Sequence, residues 1–351
     1  MAGDLLLSVR APVGALNIAD QAYGIGRGLC AIRPGNAFEP QFCYYVLSTV
    51  RTRLEAVATG STYDAVTAAE VGDLTALLPP QFEQRTIAAF LDRETAKIDA
   101  LVAKKKRLIE LLREKRTALI THAVTKGLDP TVPLKDSGVE WLGKIPAHWE
   151  VKRLKHVAKE PLQYGASEAS EFNDPEQPRF IRITDIDETG RLREDTFRSL
   201  PQEIARPYLL KRGDLLLARS GATVGKTFLY QESWGKACYA GYLIRFRTNN
   251  AVCTPEFVSY FTLSSAYWSW LSGTFIQATI QNVSAERYAN LTVTLPPIEE
   301  QQEIMSFLDR ETAKLDALIA KVREGIEKLK EYRIALISAA VTGKIDVREA
   351  V

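Results

Sequence analysis

The chain has 351 residues, enough for two domains, and its formal net charge is only +2, which excludes a generic polycation. Hydrophobic residues make up 46% of the sequence, an ordinary share for a soluble protein, and no apolar run approaches the roughly 18 residues that a membrane span needs. The four cysteines lie far apart, and the three histidines have no metal-ligand spacing. We therefore expect a cytoplasmic protein with reduced cysteines, no metal, no cofactor and no membrane partner.

The first half of the chain is predicted to form a small domain followed by one long helix. Residues 3–15, GDLLLSVRAPVGA, have the pattern of a strand that leads into a turn, and Pro79-Pro80 end the domain. The helix that follows should stop near Gly127. Its apolar residues at alternating steps of three and four predict a seam against a partner helix: Ile98, Leu101, Leu108, Leu112 and Leu119.

The second half of the chain repeats the first. Residues 78–129 align without a gap with residues 295–346, and the octapeptide FLDRETAK occurs unchanged in both. Two shorter stretches before the helices also repeat, 3–15 with 213–226 and 38–49 with 253–264. The order is therefore domain, helix, domain, helix.

The second helix carries a matching seam, so the other copy of the helix is the simplest partner. The seam residues of this copy are Leu315, Leu318, Val322, Leu329, Tyr332 and Leu336. A further apolar stripe lies one step over, at Val102, Ile109, Ile319 and Ile326. This stripe predicts either a surface for further subunits or a wider seam within the chain.

The stretch RSGATVGKTF at 219–228 nearly spells a phosphate-binding loop. That motif needs four residues between its first glycine and the Gly-Lys-Thr sequence. Here only three residues separate Gly221 from Gly225-Lys226-Thr227. A phosphate loop must also open a helix, whereas FLYQESW after Thr227 has the pattern of a strand. The pattern favours a Gly-rich turn between two strands, DLLLAR and TFLY, and a nucleotide-binding enzyme stays as an alternative.

Four stretches of the sequence resemble the DNA specificity subunit of type I restriction-modification systems. They are WLGKIPAHWEVKRLKHV, FIRITDID, GDLLLARSGATVGK, and the segment that runs from LPPIEEQ to VTGKID. The resemblance covers essentially the whole chain, and its strongest part is the LPP entry with the helix behind it, present twice. It implies an α+β fold: two mixed α/β target-recognition domains, each followed by a long helix, with the two helices packed as an antiparallel coiled coil.

The resemblance also implies a non-catalytic subunit with several partners. Each domain would read one half of a split target in double-stranded DNA. The helices would dock two methyltransferase subunits, and motor-nuclease subunits would join them. We find no Asn-Pro-Pro-aromatic motif of an adenine methyltransferase in the sequence.

The repeat and the resemblance together predict the segments of the chain. They are a partial first target-recognition domain (1–80), a first spacer helix (81–126), a linker (127–138), a second target-recognition domain (139–297), a second spacer helix (298–345) and a tail (346–351). The first domain lacks a counterpart of about 70 residues that precede GDLLL in the second, so we expect an N-terminal truncation. A truncated, half-functional subunit that acts mainly as a coiled-coil scaffold is therefore the alternative.

Two loops of the second domain are predicted to contact DNA, because base edges are read by side chains on loops held by a rigid core. The first loop carries Arg219, Ser220, Thr223 and Lys226, and its glycines would let the backbone approach a phosphate. The second, at 273–284, is rich in amides and carries Gln277, Gln281 and Asn282.

Further candidate contacts carry a stronger structural alternative. Arg182 and Thr184 lie in FIRITDI, where alternating isoleucines predict a core strand and Arg182 could instead pair with Asp185. The stretch YGASEAS at 164–170 is a weaker candidate. In the first domain, Arg10 and the loop at 58–66 occupy the matching positions.

Overall fold

A computed structural model gives the fold, and it describes residues 1–10, 13–49, 65–169, 171–187, 192–275 and 282–347. The chain divides into two compact units. The first consists of Met1–Glu110 and Leu318–Val351, and the second of Leu111–Ala317. Each unit thus holds one globular domain together with a part of both long helices.

The first unit contains a small antiparallel sheet and two short helices. Its elements are strands β1 (Leu5–Ser8), β2 (Leu16–Ile18) and β3 (Leu29–Ile32), helices α1 (Pro40–Thr49) and α2 (Ala68–Gly72), and the start of the long helix α3 (Gln81–Lys126). The strand order is β2-β1-β3. Leu5 and Leu7 alternate onto one face of β1, where they are fully buried with Cys43 and Leu47 of α1.

The second unit is larger and holds most of the strands. In chain order they are β4 (Leu134–Asp136), β5 (Lys144–Pro146), β6 (Glu150–Arg153), β7 (Gln163–Tyr164), β8 (Arg179–Ile181), β9 (Asp214–Ala218), β10 (Thr227–Leu229), β11 (Ala237–Tyr239), β12 (Leu243–Arg247) and β13 (Thr292–Leu295). Its helices are α4 (Leu154–Val157), α5 (Gln202–Ala205), α6 (Pro255–Phe261), α7 (Ser265–Phe275), α8 (Ala285–Ala289) and the start of the long helix α9 (Ile298–Val341).

Strand β9 lies inside the main sheet of the second unit, whose order is β10-β9-β12-β7 with antiparallel neighbours. Every residue of β9 is buried, because Leu215 and Leu217 pack into one apolar cluster while Leu216 and Ala218 pack into another. The remaining strands form three pairs: β8 with β11, β6 with β13, and β4 with β5. The predicted strands on either side of the Gly-rich turn are confirmed as β9 and β10.

A buried aspartate paired with an arginine occurs at the same place in both domains. At the start of β9, the Asp214 carboxylate accepts two hydrogen bonds of 2.6 Å from Arg247, the last residue of β12. Before β1, the Asp4 carboxylate accepts bonds of 2.9 and 2.8 Å from Arg33, which follows β3. The faint repeat of the GDLLL stretches therefore reflects a common sheet with a common ion pair.

The Asp4–Arg33 pair predicts that the first unit loses stability in acid. The hydrogen bond from Arg33 holds the pKa of the Asp4 carboxyl well below its ordinary value. Since the unfolded carboxyl has a pKa of about 3.9, it takes up a proton while the folded one stays ionised, so stability falls as the pH drops below about 5. Hydrogen exchange of the β1 amides between pH 3 and 6 measures this loss. In Arg33→Ala the loss should flatten, and an unchanged slope would contradict the assignment.

A buried glutamine ties the start of each long helix to the domain before it. The Gln84 side-chain oxygen accepts the Glu39 N–H at 2.8 Å, and the Gln301 oxygen accepts the Thr254 N–H at 2.9 Å. Both glutamines are almost completely buried. This common contact accounts for the glutamine that is repeated at the two helix starts.

The repeated octapeptide FLDRETAK supplies a second common contact. The Tyr45 hydroxyl donates to Asp92 at 2.7 Å in the first unit, and the Tyr260 hydroxyl donates to Asp309 at 2.7 Å in the second. Burial raises the pKa of both tyrosines to about 12, so they remain protonated donors at neutral pH. The octapeptide is thus identical in the two halves where it holds the globular domain against its helix.

The two long helices pack antiparallel within each unit, as expected. In the first unit, Arg333 of α9 lies 3.2 Å from Asp99 of α3. In the second, the equivalent pair is Arg116 of α3 with Asp316 of α9, also at 3.2 Å.

No helix in the described ranges is long and apolar enough to cross a membrane.

The C-terminal part of α9 completes the core of the first unit. Ile337 and Ala340 join an apolar cluster with Phe42 of α1 and Leu91 of α3, and Val347 beyond the helix is also buried there. Residues from both ends of the chain therefore build this core.

The predicted seam was wrong by one residue at several positions. Among the predicted seam residues, Leu101, Leu108, Leu318 and Tyr332 are 42–57% exposed. In the second stripe, Ile109, Ile319 and Ile326 are only 5–8% exposed, which agrees with the alternative of a wider seam within the chain. The sequence has adjacent apolar pairs here, such as Leu108-Ile109 and Leu318-Ile319, so hydrophobicity alone could not choose between steps of three and four.

Candidate nucleic-acid interface

The turn between β9 and β10 is not a nucleotide loop. Residues Gly221–Thr223 form a single 3-10 turn, and a strand follows it instead of a helix. The amide N–H groups point inward: Val224 donates to Gly221, Gly225 to Ala218 and Lys226 to Thr223, each at 3.0 Å. The expectation that this backbone would bind a phosphate is therefore wrong for these three amides, because none of them is available to a ligand.

Gly225 of the Gly-Lys-Thr sequence has a packing role. Its φ is +83°, and a Cβ at this position would overlap Leu271 of α7 and lie 3.3 Å from the Trp268 ring. Only glycine fits both the left-handed backbone and the close approach of α7. The glycine that suggested a nucleotide site therefore allows the β9–β10 hairpin to pack closely against α7.

The end of β9 is joined to the end of the amide-rich loop. Ser220 and Asn282 form an antiparallel bridge, and the Val283 N–H donates to the Arg219 carbonyl at 2.8 Å. Arg219 also donates its own N–H to the Tyr242 carbonyl at 3.1 Å. The structure thus brings together three predicted site residues, Arg219, Ser220 and Asn282, which the sequence separates by about 60 positions.

Tyr164 of β7 completes this group, which we call the Arg219 cluster: Tyr164, Arg219, Ser220 and Asn282. The Arg219 guanidinium lies over the Tyr164 ring, 4.7 Å from its centroid. Its Nε donates to the Asn282 Oδ1 at 3.4 Å. The Tyr164 hydroxyl accepts the Ala285 N–H at 2.9 Å. The cluster is a partly exposed cation held by an aromatic face and an amide.

Thr223 and Lys226 lie further along the same turn, and both side chains are half-buried. Tyr242, whose carbonyl bonds to Arg219, is 66% exposed. The sequence analysis did not identify Tyr242 as a candidate contact, because this residue lies between two buried stretches and belongs to no recognisable motif. The pairing of β12 with β9 and β7 is the only signal that places it beside the cluster.

Arg182 and Thr184 do not join the Arg219 cluster through any contact among the described residues. The Arg182 guanidinium donates to the buried Asp185 carboxylate at 2.7 and 3.0 Å and to the Thr196 carbonyl at 2.9 Å. The expected strand ends at Ile181, and Ile183–Asp185 form a 3-10 turn. Arg182 therefore serves the local ion pair that was the alternative for this segment.

Two predicted residues, Gln277 and Gln281, lie outside the described residues. Of the amide-rich loop, the structure therefore places only the last predicted residue, Asn282.

The first domain rebuilds the same bridge with different side chains. Arg10 and Ala65 form the antiparallel bridge, and the Val66 N–H donates to the Val9 carbonyl at 2.9 Å. Val9 thus occupies the position of Arg219, and Ala65 that of Asn282. Neither residue can hydrogen-bond a base edge through its side chain, so the two domains differ at the position where the second presents its cation.

Three of the four cysteines, Cys43, Cys238 and Cys253, are buried. Burial raises the pKa of Cys238 and of Cys253 to about 12 and that of Cys43 to about 11, so these thiols stay protonated. Among the residues that the structure describes, no three His, Cys, Asp or Glu side chains are grouped closely enough to hold a metal ion.

Comparison with known sequences identifies relatives over most of the chain. A family model described as the type I restriction modification DNA specificity domain matches residues 2–111 and 146–328. The chain is 22% identical over 352 residues to the type I restriction enzyme EcoBI specificity subunit of Escherichia coli, spanning 97% of this chain and 73% of that protein. It is 26% identical over 280 residues to the MjaVIII specificity subunit of Methanocaldococcus jannaschii, spanning 77% of this chain and 62% of that protein.

Solved structures share the fold. A chain from work described as "Structural basis underlying complex assembly and conformational transition of the type I R-M system" matches with a TM-score of 0.69 and 23% identity, over 97% of this chain and 82% of that one. The HsdS subunit from Thermoanaerobacter tengcongensis matches with a TM-score of 0.50 and 20% identity, over 98% and 82%. Since the family model spans most of the sequence, the chain belongs to the type I restriction-modification DNA specificity domain family.

Proposed function

We propose that this chain is the non-catalytic, sequence-specific DNA-binding subunit of a type I restriction-modification complex. It would direct two methyltransferase subunits and the motor-nuclease subunits to a split target in double-stranded DNA in the cytoplasm, with each globular domain reading one half. The observation that carries the proposal is the repeated attachment of a loop-bearing domain to the start of each of two antiparallel helices. That arrangement suits a reader of two separate sites.

The helices support a role in assembly. Helix α3 has 46 residues and rises about 69 Å. Beside the seam it exposes Leu101 and Leu108, and α9 exposes Leu318, each more than 40% accessible. Exposed apolar side chains on paired helices favour burial against another protein, and the methyltransferase subunits are the proposed occupants.

DNA selection in the assembled complex tests the proposal. The chain with its methyltransferase partners is incubated with a library of random duplexes, and bound sequences are recovered and read. A two-part motif with an unread gap is the expected result. A complex that retains every sequence equally would overturn the proposal. Isothermal titration of the chain with ATP and magnesium tests the alternative of a nucleotide-binding enzyme. We expect no heat of binding.

A half-functional subunit remains a second candidate, favoured by the apolar pair Val9 and Ala65 in the first domain. The same library distinguishes it, because a single motif without a second half would then be recovered.

Lys226 is predicted to contact a phosphate instead of a base. In Lys226→Ala the affinity should fall about equally for all duplexes, and the slope of log K against log salt should drop by about 0.9. Lys236→Ala is the matched control, since its ammonium contacts Gln202 in the same domain. A change in the selected sequence on Lys226→Ala, or the same drop in slope for both variants, would contradict the phosphate role.

A further inference from the structure

We propose that the Arg219 cluster reads a guanine from the major groove, in the half of the target that the second domain binds. This inference rests on the proposed function, which gives the domain a DNA ligand but does not say which base any residue reads. Its evidence is the arrangement of donors in the cluster.

The guanidinium of Arg219 is oriented with its terminal edge available. Nε donates to Asn282, while the two terminal nitrogens have no hydrogen-bond partner among the described residues. The Tyr164 ring lies against the guanidinium, 4.7 Å from Cζ to the ring centroid, and supports it from one side. Two coplanar donors match the neighbouring O6 and N7 acceptors of guanine, which only this base presents side by side in the major groove.

Asn282 makes adenine a poor partner for the cluster. An asparagine reads adenine by accepting from N6 with its oxygen while donating to N7 with its nitrogen. Here one lone pair of the oxygen accepts from Arg219, which ties the amide to the guanidinium and leaves its N–H₂ group as a donor. The terminal edge of the guanidinium presents two donors, so a base edge with a donor beside an acceptor is disfavoured there.

The cluster is held by separate elements before any DNA binds. The Tyr164 hydroxyl takes the N–H of Ala285 at the start of α8, which holds the ring over the turn. The bridge between Ser220 and Asn282 and the bond from Val283 to the Arg219 carbonyl fix the two backbones. A preoriented arginine loses less side-chain entropy on binding, which favours a base-specific role over a loose phosphate contact.

The first domain supplies a natural control. Val9 occupies the Arg219 position on an equivalent backbone, so Arg219→Val should fold while losing both donors. Arg219→Lys keeps the positive charge and can still donate to guanine O6 or N7, but it lacks the planar fork that holds two donors in one geometry. If the arginine reads guanine, both variants should lose discrimination at one position and keep the rest of the motif.

The experiment uses the full chain assembled with its methyltransferase subunits and the random duplex library. For the native chain we expect a guanine fixed at one position of one half of the motif. For Arg219→Val, preference for that guanine should fall about 10- to 100-fold, and for Arg219→Lys it should fall by less, with the other positions unchanged in both. Replacing that guanine by 7-deazaguanine, which lacks the N7 acceptor, should weaken the native complex and leave Arg219→Val unaffected.

The outcomes separate the two proposals. A native complex that selects a motif in which no guanine depends on Arg219 overturns the inference and leaves the proposed function standing. Uniform weakening of all duplexes by Arg219→Lys, or equal loss from 7-deazaguanine in native and Arg219→Val complexes, also overturns it. A native complex that selects no motif removes the proposed function itself.

Discussion

Replacement of Arg247 by methionine should destabilise the second unit by about 3–5 kcal/mol, because it leaves a buried carboxylate without its partner. Asp214 is fully buried, and Arg247 is only 16% exposed. Methionine fills the space of the arginine stem but cannot donate to the carboxylate, and Glu160 would lose one of its two arginines. The effect should exceed that of most single substitutions in this domain.

Urea unfolding followed by tryptophan fluorescence measures this loss, since all five tryptophans of the chain lie in the second unit. The double variant Asp214→Asn, Arg247→Met should recover much of the stability, because no unpaired buried carboxylate remains at position 214. Arg33→Met is the matched control in the first unit, which has no tryptophan, so its effect is followed by hydrogen exchange of the β1 amides. The Arg33 side chain is 64% exposed, so water can reach Asp4 and the cost to that unit should be smaller. A loss below about 1 kcal/mol for Arg247→Met would contradict the assigned burial of the pair.

Gly225→Ala is expected to be the other severe change. A residue other than glycine at positive φ costs about 1–3 kcal/mol. The added Cβ would also overlap Leu271 and press on Trp268, and such overpacking costs about 1–3 kcal/mol more. Helix α7 would have to move away from the hairpin, so the tryptophan-monitored transition should shift to lower urea.

Gly221→Ala isolates the packing part of this effect. Gly221 has nearly the same φ, +77°, and a Cβ there meets no atom within 4 Å. The backbone cost should therefore be similar while the overlap is absent, and Gly225→Ala should be the more damaging of the two. Equal losses of stability in the two variants would show that the contact between Gly225 and α7 does not contribute to the effect.

Much of the fold could be predicted because the sequence contains it twice. The exact repeat of FLDRETAK and the proline pairs before it defined two long helices and their relation to two domains. The pairing of the two helices followed from the need of each seam for a partner, and their antiparallel direction was implied by the resemblance to the specificity subunits. The register within the seam could not be predicted, since leucine and isoleucine stand side by side at 108–109 and at 318–319 and either could face the partner.

The candidate site was harder to predict, because its residues meet only through the sheet. Arg219 and Asn282 were each expected to contact DNA, but nothing in the sequence joins positions 63 apart. The contribution of Tyr164 depends on the pairing of β7 with β12, which a two-residue strand does not reveal. For Arg182, the ion pair with Asp185 was visible as a pattern three residues apart, and the fold places it in a turn that the isoleucine alternation did not predict.

The position of Ile337, Ala340 and Val347 in the core of the first unit has a consequence for the genetics of this protein. A premature stop codon after about residue 330 would leave the second domain intact in sequence, yet it would remove part of the cover over Phe42 and Leu91. The damage would fall on the domain encoded by the opposite end of the gene. Late nonsense alleles should therefore resemble missense alleles of the first domain.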